Sequence, residues 1–394
     1  MATLLWIRYS VVLSVILCLA WPISAANGHR SFSLNQLTRK ENSQPLNIST
    51  AFARNILRYG GEWPRSVVIS AKIASVLALS QNEEFLIPVS VGASTLHLTI
   101  DTGSSDLWVF SSQLPQDQRE EHAVYKPSVY SSKSSTQTWA IRYADGSSAS
   151  GDLYYDVVGV EGIWVMQQAV EIATEVSKNL AHNSASDGVL GLGFSNLNKV
   201  RPERQKTFFE NAKLQLELPL FAATLKQNAS GSYDFGFIDK SKYIGELNYV
   251  DVDSSRGHWS FNVSGYDIGN GELTNDPLKS VIDTGASLIF LPEKIVRAYY
   301  QQVIGAENNA QFGEWTVPCS SFLPSFTTSI GQYKAVVLGD MLKLGPVVPG
   351  SSQCLGGIQS NMNARVSIFG HVFLKTQYVV FDDRGPRLGF ARQF

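Results

Sequence analysis

Two aspartates stand in matching surroundings 182 positions apart, Ile100-Asp101-Thr102-Gly103-Ser104-Ser105 and Ile282-Asp283-Thr284-Gly285-Ala286-Ser287. Two carboxyls brought within a hydrogen bond of each other can divide the work of a hydrolysis. One takes a proton from water; the other, kept protonated because like charges that close cannot both ionise, gives one up. Each aspartate ends an apolar run and is followed by Thr-Gly. Glycine lets the backbone turn tightly and approach a partner, and the threonine hydroxyl can bond to the opposite segment. A single Asp-Thr-Gly means little, since any tripeptide turns up by chance in roughly one chain in twenty at this length. Two copies in matched contexts are not explained by turns that merely cap strands, and they single out Asp101 and Asp283 as a catalytic pair.

The elements that must hold this pair read as strands. Leu96, Leu98 and Ile100 alternate with Thr95, His97 and Thr99, predicting a half-buried strand that runs into Asp101, within a strand-rich stretch over 83–110. Residues 137–166 also alternate, with Tyr143-Ala144-Asp145-Gly146-Ser147 as a hairpin tip. Two short helices are expected. One covers Thr207 to Leu214, and the other starts at Pro292 and stacks Ile295, Tyr299 and Val303 at four-residue spacing. Each Asp-Thr-Gly copy is followed downstream by an apolar-apolar-Gly segment, Gly188-Val189-Leu190-Gly191-Leu192-Gly193 and Ser367-Ile368-Phe369-Gly370. The period is too long for a solenoid and fits two similar lobes facing each other.

Composition supports a globular, all-β chain: 44% of its 394 residues are apolar and 17% charged, with Ser/Thr/Gly clusters between short Val/Ile/Leu/Tyr/Phe runs. Residues 1–26 read as a signal peptide, with Arg8 ahead of an apolar core that is too short to cross a bilayer and ends in Ser24-Ala25-Ala26. Removing Cys18 with that segment leaves Cys319 and Cys354 as an even pair in an oxidising compartment, where a structural disulfide is expected. Asn47, Asn228 and Asn262 each open a glycosylation triplet. No metal site is expected from these cysteines, and no basic patch with interleaved aromatics points to nucleic acid. Residues 27–68 carry six basic side chains against two acidic ones, which leaves the body from 69 onward at −7. A basic leader ahead of an acidic body suggests an electrostatic clamp that weakens when carboxylates protonate.

The chain resembles the pepsin family across 83–394, and most closely its fungal secreted branch of the penicillopepsin and aspergillopepsin type. The resemblance is carried by Asp101 to Phe110, Tyr143 to Gly151, Asp187 to Gly193, Tyr233 to Asp239, Cys354 to Asn361 and Gln377 to Asp382. It implies a bilobed fold with a central cleft, the N-terminal lobe over 69–242 with Asp101 and the flap, the C-terminal lobe over 243–394 with Asp283 and the disulfide. It also implies an endopeptidase that works in acid with no cofactor and no metal. Thr102 and Thr284 become a grip between the lobes, Ser104 a donor to Asp101, and Tyr143 a flap tyrosine facing Trp108. Gly146 and Ser147 with Gly103, Gly285 and Ser287 would bind substrate backbone. Asp145 resembles the flap acid of members that accept Lys as well as large apolar residues at P1. Arg58-Tyr59-Gly60 is similar to the Lys-Tyr element of family propeptides, which makes 27–68 an activation propeptide acting as intramolecular inhibitor. The expected product is a secreted, extracellular rather than vacuolar monomer, off the membrane after signal removal, acting on proteins and peptides.

Two departures stand out. Ala286 occupies a place where most members carry Thr or Ser, which should raise the pKa of Asp283 and the pH optimum. His371 follows Ile-Phe-Gly where Asp is usual; it reads as structural, with a charge behind Asp283 near pH 5–6 as the alternative. A catalytically silent peptide-binding homologue is the runner-up function, although it would have been free to lose Asp101, Asp283, Thr102, Thr284 and Tyr143. A glycoside hydrolase needs carboxyls about 5–9.5 Å apart across a sugar, room that duplicated Asp-Thr-Gly loops do not offer.

Overall fold

The computed structural model describes residues 30–38, 55–62, 85–142, 147–182, 186–227, 229–269, 271–309, 314–347 and 350–394. The signal segment, the processing region near 69, Asn47, Asn228 and the flap residues Tyr143, Asp145 and Gly146 lie outside the described residues.

The architecture is a set of β-sheets with a few short helices, as the sequence predicts. The strand that delivers Asp101 is Ser94–Asp101, its Leu96, Leu98 and Ile100 buried. It lies in an eight-stranded sheet, parallel to Gly188–Gly191, with Asp101 opposite Gly191; Gly188–Gly191 in turn pairs antiparallel with Leu107–Val109. The same pattern recurs around the second aspartate. Leu278–Ile282 runs parallel to Ser367–Phe369, which pairs antiparallel with Ile289–Leu291. The apolar-apolar-Gly segments thus flank the strands that carry the aspartates. That is why the two repeats travel together in the sequence.

A six-stranded sheet joins the halves. Its strands come from Leu220–Thr224 and Ser232–Phe235 on one side and from Tyr243–Asp251, Gln377–Asp382 and Arg387–Gln393 on the other. The expected lobe boundary at 242/243 falls inside this sheet, between the 3-10 turn Lys240–Lys242 and the strand that follows it. Beneath it Phe221 stacks on Phe381 at 4.5 Å between ring centroids, and Trp259 meets both edge-on. Trp259 also donates its indole N–H to the Leu192 carbonyl at 2.9 Å, a bond between the halves that ends beside the first aspartate loop.

The sixth strand of that sheet was not foreseen. Phe32–Asn35, from the basic leader, pairs antiparallel with Ser232–Phe235 at the sheet edge, and Phe32 stacks on Phe235 at 5.0 Å. Four residues of unpaired sheet edge are thereby covered by the leader itself.

The predicted hairpin is present as Ser132–Arg142 paired with Ser148–Val160. The first predicted helix is Phe208–Ala212, started by a capping box in which Thr207 accepts from the Glu210 N–H, and it continues as a 3-10 turn. The second is Glu293–Tyr300, preceded by Pro292, with Ile295 and Tyr299 buried. Cys319 and Cys354 are joined in a disulfide that closes a 35-residue separation. Asn262 is exposed on Ser260–Val263.

Candidate active site

The two Asp-Thr-Gly loops meet face to face. Thr102 Oγ1 donates to the Ile282 carbonyl at 3.0 Å and accepts the Thr284 N–H at 3.0 Å. Thr284 Oγ1 does the reciprocal work, donating to the Ile100 carbonyl at 2.8 Å and accepting the Thr102 N–H at 3.0 Å. All four partners are buried, so losing one hydroxyl would strand a buried N–H and a carbonyl, a cost of about 1–3 kcal/mol for each group. The glycines are required by proximity. A Cβ on Gly103 would fall 2.5 Å from Asp283 Oδ2, and one on Gly285 would fall 2.5 Å from Asp101 Oδ1. Each carboxylate therefore rests against the opposite loop's backbone, where only hydrogen fits.

Asp101 and Asp283 are 4% and 0% exposed, and a single side chain reaches both. Arg58 Nη1 lies 3.0 Å from Asp101 Oδ1 and 3.2 Å from Asp283 Oδ2, while Nη2 lies 3.0 Å from Asp101 Oδ2. Tyr59, itself buried, donates its hydroxyl to Asp283 Oδ2 at 2.8 Å. A guanidinium is bulkier than the ammonium of the Lys-Tyr element that Arg58-Tyr59 resembles, and so must dock differently. The planar fork answers this by engaging one carboxylate with both nitrogens and the other with one.

The two carboxyls are not equivalent. Asp101 accepts the Ser104 hydroxyl at 2.6 Å and the Gly103 N–H at 2.9 Å. Burial would push its pKa up, but the Arg58 charge and these donors outweigh it and hold the carboxyl below the ordinary aspartate range. Asp283 accepts the Gly285 N–H at 2.8 Å, while Ala286, three residues on and in the place that Ser104 takes in the first loop, offers no hydroxyl. Burial raises Asp283 to about 6, with the negative charge of Asp101 adding to it and Arg58, Tyr59 and Gly285 opposing. The environment thus supplies an acid and a base from two identical side chains.

The other predicted residues are placed as follows. His371 is half-buried, with its Nε2 2.7 Å from the Thr284 carbonyl and its ring edge-on to Phe85. A carbonyl only accepts, so that nitrogen carries the proton. Burial, aided by Lys375, lowers the imidazole to about 4, so it is neutral near pH 5–6 and the alternative of a cation behind Asp283 falls away. Trp108 is buried, and among the described residues its Nε1 has no acceptor. Ser147 is buried at the foot of the hairpin tip, and Gly285 and Ser287 are half-buried beside Asp283. Among the described residues no group of three or more His, Cys, Asp or Glu side chains is disposed to hold a metal ion.

Sequence reasoning missed a second acidic pair behind the first loop. Asp106 and Glu171 are 2% and 1% exposed, and the Asn198 amide donates to both, at 3.0 Å and 2.9 Å, as well as to the Ser105 carbonyl at 3.2 Å. Asp106 also accepts the Lys199 N–H at 2.6 Å. Burial raises Asp106 to about 6, opposed by Lys199, and burial together with Asp106 holds Glu171 well above its ordinary value. Glu171 lies 65 positions from Asp106 with no motif around it, so only the fold reveals the pairing.

With this geometry in place, comparison with known proteins is direct. The chain belongs to the eukaryotic aspartyl protease family, whose family model matches residues 84–393. It is 48% identical to aspergillopepsin-1 of Aspergillus fumigatus over 391 residues, 98% of this chain and 99% of the relative. Aspergillopepsin-1 of Aspergillus oryzae is 48% identical over 379 residues, 94% of each chain. Penicillopepsin-2 of Penicillium janthinellum is 46% identical over 390 residues, 98% of each. The protein is an aspartic endopeptidase.

Two outcomes follow from the carboxyl environments. Ala286→Ser restores to Asp283 the hydroxyl that Asp101 already has. One hydrogen bond to the charged form should move the alkaline limb of the kcat/KM profile to lower pH by about one unit. An unmoved or alkaline-shifted limb would show that the missing hydroxyl does not set the higher dyad pKa. Separately, the raised Asp106 and Glu171 bind more protons in the folded than in the unfolded chain above about pH 4. Their contribution is therefore full in acid and lost as pH rises through about 6 and beyond. Glu171→Gln keeps a partner for Asn198 without the second charge, and should reduce the drop in Tm between about pH 4.5 and 7 by a few degrees. A drop as steep as the parent's excludes this pair as its source.

Proposed function

We propose that the chain is the precursor of a secreted, acid-active endopeptidase in which residues 27–68 form an inhibitory propeptide removed near residue 69. The observation that carries this reading is the Arg58 guanidinium seated on both dyad carboxylates with Tyr59 beside it. A substrate carbonyl and an attacking water cannot occupy that place while the fork fills it. The leader strand Phe32–Asn35 adds a second attachment at the edge of the six-stranded sheet. A further pairing, Leu37–Thr38 against Phe85 and Leu86, ties the leader to the edge of the eight-stranded sheet, so the clamp has backbone contacts at two sheet edges as well as the ionic contact that charge counting suggested.

The pH response follows from the two carboxyls. Below about 6 Asp283 takes up a proton, and Arg58 loses half of its anionic partnership. Asp101 keeps its charge until the pH falls below the ordinary aspartate range, because its folded pKa is depressed. A depressed carboxyl pKa stabilises the contact at higher pH and surrenders it as pH falls through that value, so release belongs to stronger acid than Asp283 alone demands. Once Arg58 leaves, the largest influence lowering each pKa leaves with it, and a single proton shared by the pair becomes the stable state. Asp101 then acts as base toward water and Asp283 as acid toward the substrate carbonyl oxygen and, later, the leaving nitrogen. Ser104 keeps the base ionised, and the threonine grip holds the pair in register without further reorganisation.

The flap completes the reading. The Trp108 N–H, which has no acceptor among the described residues, would suit the hydroxyl of a flap tyrosine such as Tyr143, and Asp145, as the resembled flap acid, would pair with a substrate ammonium, extending large apolar P1 preference to Lys. The single C-lobe disulfide and the exposed Asn262 suit an exported glycoprotein acting outside the cell.

Acidifying the purified precursor to about pH 3.5 should yield a new N-terminus near residue 69 and peptide cleavage with an acid optimum, while Asp101→Asn stays at full length and idle. Full activity in the unprocessed chain at that pH would overturn the propeptide reading. For the flap, Asp145→Thr should suppress kcat/KM for Lys at P1 by about tenfold while sparing Phe. If cleavage after Phe falls equally, Asp145 serves the turn and not the pocket.

A further inference from the structure

A cavity of about 270 Å³ opens beside the dyad on the Ser104 side, where Leu57 and Arg58 of the leader border it. Ile141 and Leu197 form apolar walls, and Arg142, Lys199 and His258 bring nitrogen donors around them. These basic groups come from three separate parts of the fold: the end of Ser132–Arg142, the segment after Ser195–Leu197, and the stretch leading into Ser260–Val263. Arg142 and Lys199 are exposed at the rim, and neither makes an ion pair among the described residues. Lys199 spends its backbone N–H on Asp106 and leaves its ammonium available. His258 packs against Tyr59 at 4.8 Å between ring centroids, and its buried Nδ1 has no partner among the described residues.

We infer that this cavity is a subsite for an acidic substrate side chain within about three residues of the scissile bond, with Arg142 and Lys199 as the specificity-determining pair. The inference rests on the endopeptidase reading and adds a substrate class to it. Apolar walls suit the methylenes of a glutamate, and two cations from facing elements suit its carboxylate. Among the described residues the charged groups facing the cavity are Arg58, which departs with the leader, Arg142, Lys199, His258 with Arg256 near it, and the carboxyls of Asp106 and Asp101. Asp106 does not cancel the cations, because its carboxylate is turned inward to the Lys199 N–H and the Asn198 amide. Burial, with Arg58 adding to it, lowers His258 to about 4, so the lasting positive charge comes from Arg142 and Lys199. The electrostatic sign of the leader agrees. The groups bordering the cavity from 55–62 are an apolar Leu57 and a cation that is itself held by the dyad, so the leader brings no carboxylate to Arg142 or Lys199 among the described residues.

The acid-activated enzyme is tested with paired peptides that carry Glu or Gln at each of the three positions on either side of a Phe-Phe bond, reading the Glu:Gln ratio of kcat/KM. At one position the ratio should reach about five at pH 5.5, the scale of one or two solvent-exposed ion pairs. It should fall toward one near pH 3.5, as glutamate with a pKa of about 4.3 protonates, and shrink in about 0.5 M salt. In Arg142→Gln/Lys199→Gln the ratio should drop below about two, and Lys199→Glu should favour a Lys peptide over Gln at the same position. Because the readout is a ratio within one enzyme, a general loss of activity cancels. Parity at every position and pH, or a preference that survives in the double variant, overturns the subsite while leaving the endopeptidase intact. Failure to cleave any peptide, Glu or Gln, removes the endopeptidase reading and the subsite with it.

Discussion

Everything in this molecule is arranged around two carboxylates that would rather be apart. Buried at 4% and 0% exposure, Asp101 and Asp283 cannot both stay ionised side by side without a cation or a shared proton between them. The fold denies them the option of separating. Reciprocal Thr102 and Thr284 bonds lock the loops together, and each glycine is packed so closely to the opposing carboxylate that no side chain fits. In the full-length chain the compensating charge is Arg58; without it, a proton must take its place. On the propeptide reading proposed above, inhibition and catalysis are two answers to one electrostatic problem.

The same frustration appears again one layer back. Asp106 and Glu171 are a second close pair of buried acids, tied to the first through the loop 101–106 and stitched together by Asn198. On the reading proposed above, the first pair does the chemistry. The second is buried behind it, with Asp106 bordering the cavity beside Ser104 and bonded to Asn198 and Lys199. Burial raises a carboxyl pKa in each pair, so both take up protons on the acid side of the pH scale. Neutral His371 fits this economy, since a bond from its ring to the Thr284 carbonyl braces the second loop without adding charge.

Much of this was legible in the residues alone, because repetition is a strong signal. The doubled Asp-Thr-Gly pointed to the dyad, the doubled apolar-apolar-Gly to two similar lobes, and the alternation of Leu96, Leu98 and Ile100 to the strand that delivers Asp101, whereas the pairing of the apolar-apolar-Gly segments beside the aspartate strands emerges only in the fold. Helices marked by local chemistry, such as the Thr207 cap and Pro292, were equally readable. What stayed hidden depends on contacts between distant segments. Phe32–Asn35 alternates as Phe-Ser-Leu-Asn, but four residues are too few to set it apart from a linker; it becomes a strand because Ser232–Phe235 presents an unpaired edge. Glu171 looks like any polar residue on a long strand until Asn198 and Asp106 close over it. His371 could be read two ways from sequence, and burial decided between them.

The leader's attachments are of two kinds, and on the propeptide reading proposed above the difference bears on how it would leave. Backbone pairing of Phe32–Asn35 and the stacking of Phe32 on Phe235 contain no titrating group, although Ser33 bonds Asp234 nearby. The Arg58 and Tyr59 contacts end on the two dyad carboxyls and respond to each. Acid therefore loosens the segment over the dyad before it loosens the strand. A segment released at one end and still tethered at the other stays near the cleft at high effective concentration, which favours cleavage within one molecule over cleavage between two. On the activation proposed above, the sheet contact does more than add stability. It keeps the first substrate, the chain's own leader, within reach of the carboxylates that have just been freed.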